Sequence, residues 1–190
     1  MRVIAGVAKG RRLVAPPGDR TRPTSDRVKE SWFSALQPVL GGAHVLDLYA
    51  GSGALGLEAL SRGAAAVTFV ERDRRALEAL HRNVAAVDLP GVTVVSRDVH
   101  QALAGSLADA PFDVVVADPP YRADEDELGR VLGALVAHLA DDAVVTVERG
   151  RREPPPRWPD ELLADDPRRY GDTTLHRARL VAQRSSRTPL

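Results

Sequence analysis

The tetrapeptide Asp118-Pro119-Pro120-Tyr121, here named the reaction segment, has the residue types needed to present an amino nitrogen for reaction. An exocyclic amine on a base is a poor nucleophile because its lone pair is delocalised into the ring. The Asp118 carboxylate and the Pro119 carbonyl could each accept one N–H bond, which would direct the lone pair towards an electrophile. Tyr121 offers an aromatic face on which a base can stack. A Pro-Pro turn that merely ends a strand has the same residues, so the tetrapeptide alone leaves both interpretations open.

A glycine-rich segment, residues 47–56, joins a predicted strand to a predicted helix. Gly51 and Gly53 allow positive φ and a close approach of a ligand to the backbone, and the helix N-terminus supplies free N–H groups. Glu71 ends the next strand, where an acid can bind ribose hydroxyls. The spacing predicts a nucleoside-type cofactor. The residues expected to bind it are Asp47, Tyr49, Ala50, Gly51, Ser52, Gly53, Glu71, Arg72, Asp98 and Val99.

Asp47 distinguishes between two cofactors that would fit such a turn. A carboxylate just ahead of the glycines would repel the pyrophosphate of a nicotinamide dinucleotide, whereas it would attract the sulfonium and amino groups of S-adenosylmethionine. We therefore favour S-adenosylmethionine. Asp98, after the third strand, could accept from the adenine amino group, although an acid at a helix start is equally typical of an N-cap.

Short apolar strands alternate with helical stretches from residue 44 onwards. Strands are predicted over 44–48, 66–70, 92–96, 113–117 and 143–148, and helices over 54–62, 74–87, 100–107 and 125–139. This alternation predicts parallel strands joined by right-handed crossovers. The expected fold is α/β, a doubly wound, mostly parallel sheet of the Rossmann-like methyltransferase type with a C-terminal antiparallel hairpin over 168–181.

Residues 1–40 are predicted to form a small basic extension. It should contain a β-hairpin, with strands Arg2–Val7 and Arg11–Ala15, and a helix that begins near Thr24 or Ser25. Val28, Trp32 and Leu36 recur every four residues and give this helix an apolar face. We expect the methyltransferase domain to occupy residues 41–183 and a flexible tail to occupy 184–190.

The formal charge is zero overall but unevenly distributed. Residues 1–30 carry a net charge of +5, residues 31–150 carry −8 and residues 151–190 carry +3. Basic ends around an acidic middle indicate a polyanionic partner held by the ends. A solvated surface in an arginine-rich protein is the alternative interpretation.

The composition excludes several classes of site. There is no cysteine, which excludes disulfides, cysteine zinc sites and a thiol nucleophile. The five histidines lack metal-ligand spacing, so we expect no metal. No apolar run approaches the roughly 20 residues that span a bilayer, and the N-terminus lacks the apolar stretch of a signal peptide. We therefore expect a cytoplasmic, monomeric protein without membrane contact.

With these residues placed, the sequence resembles the bacterial small-subunit ribosomal RNA guanine-N2 methyltransferase family, the RsmD-like proteins, over almost its whole length. The N-terminal segments are the specific part, because the later motifs recur across many amino-methyltransferases. The family often has Phe at the position of Tyr121, and either ring can stack. The resemblance rests on Arg2-Val3-Ile4-Ala5-Gly6, Lys9-Gly10-Arg11-Arg12-Leu13, Arg22-Pro23-Thr24-Ser25-Asp26-Arg27-Val28-Lys29-Glu30, Asp47-Leu48-Tyr49-Ala50-Gly51-Ser52-Gly53, Val70-Glu71, Asp98 and the reaction segment.

The resemblance implies transfer of one methyl group from S-adenosylmethionine to N2 of a guanine in 16S rRNA, in the assembled or assembling small ribosomal subunit. On that basis the RNA phosphates should be contacted by Lys9, Arg11, Arg12, Arg22 and Arg27. One alternative is a DNA adenine-N6 methyltransferase, which also uses D-P-P-Y but usually needs a separate target-recognition region. Another is a non-catalytic RNA-binding ribosome assembly factor with a vestigial pocket. A nicotinamide dehydrogenase would need a hydride-transfer acid or base that we do not find.

Overall fold

The computed structural model describes residues 1–16, 26–120 and 124–181, with the exception of the Arg27 side chain. The helices in these ranges are α1 (Asp26–Leu40), α2 (Ala54–Ser61), α3 (Arg74–Val87), α4 (Val99–Leu103) and α5 (Glu125–Leu135). The strands are β1 (His44–Leu48), β2 (Ala66–Glu71), β3 (Val92–Ser96), β4 (Phe112–Ala117), β5 (Leu139–Gly150), β6 (Leu162–Ala164), β7 (Arg168–Tyr170) and β8 (Thr173–Leu180).

The described strands form one eight-stranded sheet in the order β3-β2-β1-β4-β5-β8-β6, with β7 also paired to β8. β1 to β5 run parallel, as right-handed βαβ crossovers require. β8 pairs antiparallel with β5, β6 and β7. The predicted α/β class and C-terminal antiparallel hairpin are therefore confirmed.

Two hydrophobic clusters cover the two faces of the sheet. One cluster joins α1, α2, α3 and the first residues of the chain to one face, and the other joins α4 and α5 to the opposite face. The central strands are buried on both faces, and Val114, Val115 and Val116 of β4 have no exposed surface. The predicted apolar face of α1 is buried through Val28 and Trp32, and the Trp32 indole N–H donates to Thr146 Oγ1 at 2.8 Å.

The predicted N-terminal hairpin is present, but the two strands predicted in it, 2–7 and 11–15, are not formed. Its two arms are joined by backbone hydrogen bonds of 2.9–3.0 Å, from Val3 to Arg11, from Gly10 to Val3 and from Leu13 to Met1, around one isolated antiparallel bridge, Arg2 with Arg12. Gly6 has φ of +81°, and the backbone N–H groups around it bond to α2 instead of to the opposite arm. Ile4 and Ala5 donate to the Glu58 carboxylate at 2.7 and 3.1 Å, and Ala8 donates to Ser61 Oγ at 2.9 Å. Side chains of α2 therefore satisfy the N–H groups nearest the turn, and the pairing between the arms stays too short to form strands.

Other boundaries also differ from the predictions. α4 is shorter than the predicted helix over 100–107 because it ends at Leu103. The helix predicted over 125–139 ends as α5 at Leu135, and a 3-10 turn, Val136–His138, leads into β5. β6 was not predicted. The proposed N-caps Thr24 and Ser25 and the tail 184–190 lie outside the described residues.

Candidate functional site

The candidate site lies where the parallel strands end at one edge of the sheet. In β1, Leu48 lies opposite both Ala117 of β4 and Val70 of β2. Glu71, the last residue of β2, lies opposite Ser96 of β3. The glycine turn, residues 49–53, therefore begins directly beside the reaction segment, with the ends of β2 and β3 on its other side. This is the edge where open α/β sheets bind ligands.

The three glycines of this part of the chain have different roles. Gly51 has φ of +57°, and a Cβ built there would meet no heavy atom nearer than 3.9 Å. A Cβ on Gly53 would lie 2.3 Å from a Leu80 methyl carbon. A Cβ on Gly56 would lie 2.3 Å from the Phe69 ring. Gly51 is thus the position where a ligand can approach the backbone, whereas Gly53 and Gly56 allow α2 to pack closely.

The Asp47 carboxyl group is buried at the start of α2. It is 1% exposed, and its Oδ2 accepts a hydrogen bond from the Gly56 N–H at 2.9 Å. Burial raises the pKa of Asp47 from 3.8 to about 7; the Gly56 bond opposes this shift and the charge of Glu71 adds to it. Near neutral pH a nearby cation would favour the ionised form. Attraction of the cofactor's sulfonium and amino groups by Asp47 stays a prediction, now with this physical basis.

Glu71 connects the end of β2 to the glycine turn. Its Oε2 accepts from the Gly51 N–H at 2.8 Å, and its Oε1 accepts from the N–H groups of Arg72 and Asp73, each at 2.7 Å. Three backbone donors fix the orientation of the carboxylate while each oxygen retains further acceptor capacity. Glu71 is half-buried, so ligand hydroxyl groups can reach it. This arrangement suits the predicted binding of ribose.

Tyr49, the first residue of the glycine turn, has φ of +59°. Positive φ is unusual for an aromatic residue, and such residues cluster at ligand sites when the surrounding packing holds them. The ring packs against the hydrophobic cluster of α4 and α5. Burial raises the pKa of Tyr49 to about 12, with contributions from Glu127 and Asp98, so the hydroxyl group stays neutral at physiological pH.

Asp98 serves as the N-cap of α4. Its Oδ1 accepts from the His100 N–H at 2.9 Å, and its Oδ2 accepts from Arg72 Nη1 at 2.8 Å. Asp98 and Arg72, two of the predicted cofactor-binding residues, are therefore joined to each other across the ends of β2 and β3. Val99 begins α4 and is buried. Recognition of adenine by Asp98 stays a prediction beside its capping role.

The glycine turn also includes Ala50 and Ser52, which were both predicted to bind the cofactor. The Ala50 N–H donates to the Val70 carbonyl at 3.1 Å, and this bond ties the turn to β2. Ser52 is buried. The backbone at both positions is thus fixed by hydrogen bonds, at Ala50 to β2 and at Ser52 to the Asn83 side chain.

The reaction segment follows β4 at the same edge. Asp118 is half-buried, Pro119 is buried and Pro120 is exposed. The two prolines lack an N–H and have a fixed φ, which sets the direction of the backbone here. Tyr121 lies outside the described residues, so its stacking role stays a prediction.

Three of the five predicted RNA contacts fall within the described side chains. Lys9, Arg11 and Arg12 are exposed on the N-terminal extension. Arg11 Nη1 also donates to the Ala86 carbonyl of α3 at 2.8 Å, which holds this arm against the domain. Arg22 and the Arg27 side chain lie outside the described part of the structure.

Asn83 is a residue that sequence reasoning missed. Its side chain is buried on α3, and Oδ1 accepts from the Val14 N–H at 2.8 Å. Nδ2 donates to the Val14 carbonyl at 2.9 Å and to the Ser52 carbonyl at 2.8 Å. One amide thus connects the N-terminal extension to the glycine turn. Sequence alone offered only a polar residue among the apolar positions of a helix.

The described part of the chain offers neither a metal site nor a membrane span. Within residues 1–16, 26–120 and 124–181, no group of three or more His, Asp or Glu side chains is placed to hold a metal ion. Across those same ranges, none of the helices combines the length and apolar character needed to cross a bilayer.

The chain is similar to several known proteins. A family model described as "Conserved hypothetical protein 95" matches residues 1–179. Ribosomal RNA small subunit methyltransferase D of Escherichia coli (strain K12) is 41% identical over 150 residues, which cover 78% of this chain and 74% of that protein. The protein of the same name from Haemophilus influenzae is 35% identical over 163 residues, which cover 83% and 84% of the two chains.

A solved structure shows the same arrangement. The Escherichia coli protein yhhF, described as a candidate methyltransferase, superimposes with a TM-score of 0.84 at 36% identity. The match covers 96% of this chain and 99% of that one. The two proteins therefore share the same fold over almost their whole length.

Proposed function

Because the chain belongs to the RsmD-like family of bacterial methyltransferases, whose family model is described as conserved hypothetical protein 95, we propose that it methylates the exocyclic N2 of a guanine in 16S rRNA. The names of the relatives support an rRNA methyltransferase. They do not specify the base or the atom. That finer choice rests on the resemblance of the N-terminal segments and on the chemistry of the reaction segment.

The observation that carries the proposal is the register between β1 and β4. Leu48 lies opposite Ala117, so the glycine turn and the reaction segment leave adjacent strands at the same height. Adjacent parallel strands are about 4.8 Å apart, so a methyl donor on the turn and an amine on the reaction segment would lie within reach of each other. A site with this spacing brings two reactants together, which is the main requirement of a direct transfer.

Several features of the glycine turn fit S-adenosylmethionine. Gly51 leaves open space above the backbone, and Glu71 offers fixed acceptors for ribose hydroxyls. Asp47 can carry the negative charge that favours the sulfonium and amino groups. When bound, the cofactor supplies the electrophilic methyl group.

The chain's own residues would hold and orient the acceptor amine. The Asp118 carboxylate and the Pro119 carbonyl each accept one N–H bond, which directs the lone pair of N2 away from the ring and towards the donor. Because neither Pro119 nor Pro120 has an N–H, no backbone donor of these two residues competes for the acceptors. Tyr121 stacks on the guanine ring, a contact worth about 1–3 kcal/mol per base in comparable settings. Most of the rate enhancement comes from this positioning, without a strong base.

The substrate is the assembled or assembling small ribosomal subunit. Lys9, Arg11 and Arg12 would contact phosphates around the target, together with Arg22 and Arg27. The guanine must be unpaired or extruded to reach the site edge. The enzyme would act as a cytoplasmic monomer, and a sedimentation measurement of the free protein would check the oligomeric state.

The test offers labelled S-adenosylmethionine with small subunits, naked rRNA and DNA, followed by nucleoside analysis. We expect label in N2-methylguanosine from the small subunits. Label found only in N6-methyladenosine or in DNA would contradict the proposed substrate and favour the adenine-N6 alternative.

The same assay tests the mechanism. Asp118→Ala should lower the methyl-transfer rate by about a hundredfold, the typical cost of a misplaced reactant. A matched control is Asp113→Ala, at the other end of β4, whose carboxylate accepts from the His44 N–H at 2.8 Å. The control variant should keep its activity. Full activity in Asp118→Ala would refute the role given to this carboxylate.

A further inference from the structure

A second basic surface lies on the far side of the reaction segment from the N-terminal extension. Arg151 and Arg152 follow the end of β5, and Arg168 and Arg169 begin β7. All four side chains belong to exposed residues. We name these four residues the arginine edge.

The register of the strands places the arginine edge level with the site. Arg168 lies opposite Leu175 of β8, and Leu175 lies opposite Glu148 of β5. Val147, which precedes Glu148, lies opposite Ala117 of β4. Arg168 is therefore level with Asp118, the residue that follows Ala117. The two are three strand spacings apart across the sheet, about 14 Å at ~4.8 Å per strand.

The other arginines of the same region are engaged with acceptors. Arg157 pairs with Glu125 at 2.6 Å and with Asp126 at 2.7 Å, and Arg177 pairs with Asp165. Arg179 donates to the Asp142 carbonyl at 3.3 Å. Within the described residues, the four arginines of the arginine edge have neither an ion pair nor a side-chain hydrogen bond. Their charges are free to meet an external anion.

A buried arginine, Arg149, lies beside the arginine edge at the end of β5. Arg149 is 3% exposed, and Nε lies 3.4 Å from Glu153 Oε2. Among the described residues, neither Nε nor Nη1 has a hydrogen-bond acceptor. Burial lowers the pKa of His176, and the charge of Arg149 adds to this shift. The charge of Arg149 therefore acts beyond its own strand, at His176 of β8.

The site itself is lined by carboxyl groups, namely Asp47, Glu71, Asp98 and Asp118. These carboxylates would repel a polyanion brought to this edge, so positive charge nearby must offset them. The N-terminal extension supplies one flank, beside α3, and the arginine edge supplies the other, beyond β5. Basic surfaces on both sides of the site would suit an RNA strand that passes across it.

We propose that the arginine edge binds the phosphates of the RNA strand on one side of the target nucleotide, opposite the phosphates held by the N-terminal extension. This inference rests on the proposed function and adds a second RNA-binding surface to it. A stacked strand rises ~3.4 Å per nucleotide, so the ~14 Å from the reaction segment corresponds to about four nucleotides. The arginine edge would thus hold the strand and leave recognition of the base to the site.

The experiment uses two double variants of the full chain, R168Q/R169Q and R151Q/R152Q. The control is R82Q/R179Q, which removes the same charge from exposed arginines that bond to backbone carbonyls, Arg82 to Glu78 at 3.1 Å and Arg179 to Asp142. Dissociation constants for small subunits or an rRNA fragment are measured against salt concentration. Calorimetric titration with S-adenosylmethionine shows that each variant is folded with an intact cofactor site.

Both arginine-edge variants should weaken RNA binding about tenfold or more at ~0.1 M salt. The slope of log K against log salt should fall by about 0.7–0.9 for each phosphate that the variant no longer neutralises. In methyl-transfer assays KM for RNA should rise while kcat at saturating RNA stays near wild type. The control should change neither quantity.

Two results would separate failure of the inference from failure of the proposed function. The inference is overturned if both arginine-edge variants keep the wild-type salt slope, or if the control weakens RNA binding equally. In either case, methylation of rRNA by the wild-type protein would still support the proposed function. A wild-type protein that neither binds nor methylates rRNA overturns the proposed function, and the inference with it.

Discussion

Glu58 of α2, which holds the N-terminal extension, and Glu71 at the end of β2 both accept several N–H bonds, but they have different roles. Glu58 accepts from the N–H groups of Ile4 and Ala5 and from Arg62 Nε at 2.6 Å, and it is fully buried. Glu71 also accepts three N–H bonds but is half-buried at the site edge. Access therefore decides the role: the carboxylate of Glu58 is closed to ligands, whereas that of Glu71 is open to them.

The surroundings of Glu58 are as closed as the carboxylate itself. Near Glu58, Lys29 has no exposed surface and its Nζ donates to the Arg2 carbonyl at 2.7 Å. Burial lowers the pKa of Lys29, and the charge of Glu58 opposes this shift. A Cβ on Gly6 would lie 1.7 Å from the Ser61 carbonyl oxygen. Part of the specific N-terminal signature is thus needed to dock the extension. Its exposed basic residues are the ones available for the proposed RNA contacts.

The largest expected effect is the loss of stability in Glu58→Ala. This change leaves Lys29 and Arg62 without a buried counter-charge and two backbone N–H groups without an acceptor, which should cost about 3–5 kcal/mol. Urea unfolding monitored by circular dichroism measures it. The control is Glu78→Ala, which removes a surface ion pair with Arg74 at 3.4 Å and should cost under ~1 kcal/mol. A destabilisation as small as that of the control would show that Glu58 does not hold the N-terminal extension as described.

Glu71→Ala should affect the cofactor more than the fold. Removal of a charged acceptor for ribose hydroxyls should raise the dissociation constant of S-adenosylmethionine roughly 10- to 100-fold, from about 1.5–3 kcal/mol for hydrogen bonds to a charged group. Calorimetric titration measures this change, with urea unfolding as the parallel stability measurement. If Glu71→Ala lowered the stability but the folded variant bound the cofactor as tightly as wild type, Glu71 would be a structural residue like Glu58.

Asp47 gives the smallest effect, and it depends on pH. A raised pKa means that the folded protein binds the proton more tightly than the unfolded chain, so this stabilising contribution is present below about pH 4 and is lost as pH rises through about 7. Between pH 6 and 7 it should change the free energy of unfolding by about 1 kcal/mol. Asp47→Asn, of similar shape, should remove this part of the pH dependence.

Cofactor affinity should show the opposite trend. Because the sulfonium favours ionised Asp47, wild-type binding should tighten as pH rises through about 7 and then level off. Asp47→Asn should bind with no such trend. Titrations at pH 6, 7 and 8 measure it, and identical pH profiles for the two proteins would exclude contact between Asp47 and the cofactor's positive charge.

The core of the fold was predictable from local patterns. Continuous apolar runs such as Val114-Val115-Val116 indicate strands buried on both faces, and the bounds of β1, β3 and α3 match the prediction. The two strands predicted in the N-terminal hairpin are not formed, because several of its backbone donors find acceptors on Glu58 and Ser61, more than fifty residues away in sequence. Contacts at that separation leave no trace in local periodicity.

The site was predictable at the level of strand ends. Carboxylates at 71, 98 and 118 were placed at one edge because parallel strands end there together. What sequence could not give is how each acceptor is already occupied, as with the Asp98 cap and its pair with Arg72. The charge count indicated basic ends, but only strand register shows that Arg168 stands level with the reaction segment.

The Asn83 amide has a consequence for building chimeras from this family. Two of its three hydrogen bonds go to Val14 and the third to Ser52, so removal of the first sixteen residues would leave buried polar atoms unpaired beside the glycine turn. The extension is therefore not a detachable module. An exchange of target preference between relatives would have to transplant the extension together with its receiving side chains, Glu58, Ser61 and Asn83, as one unit.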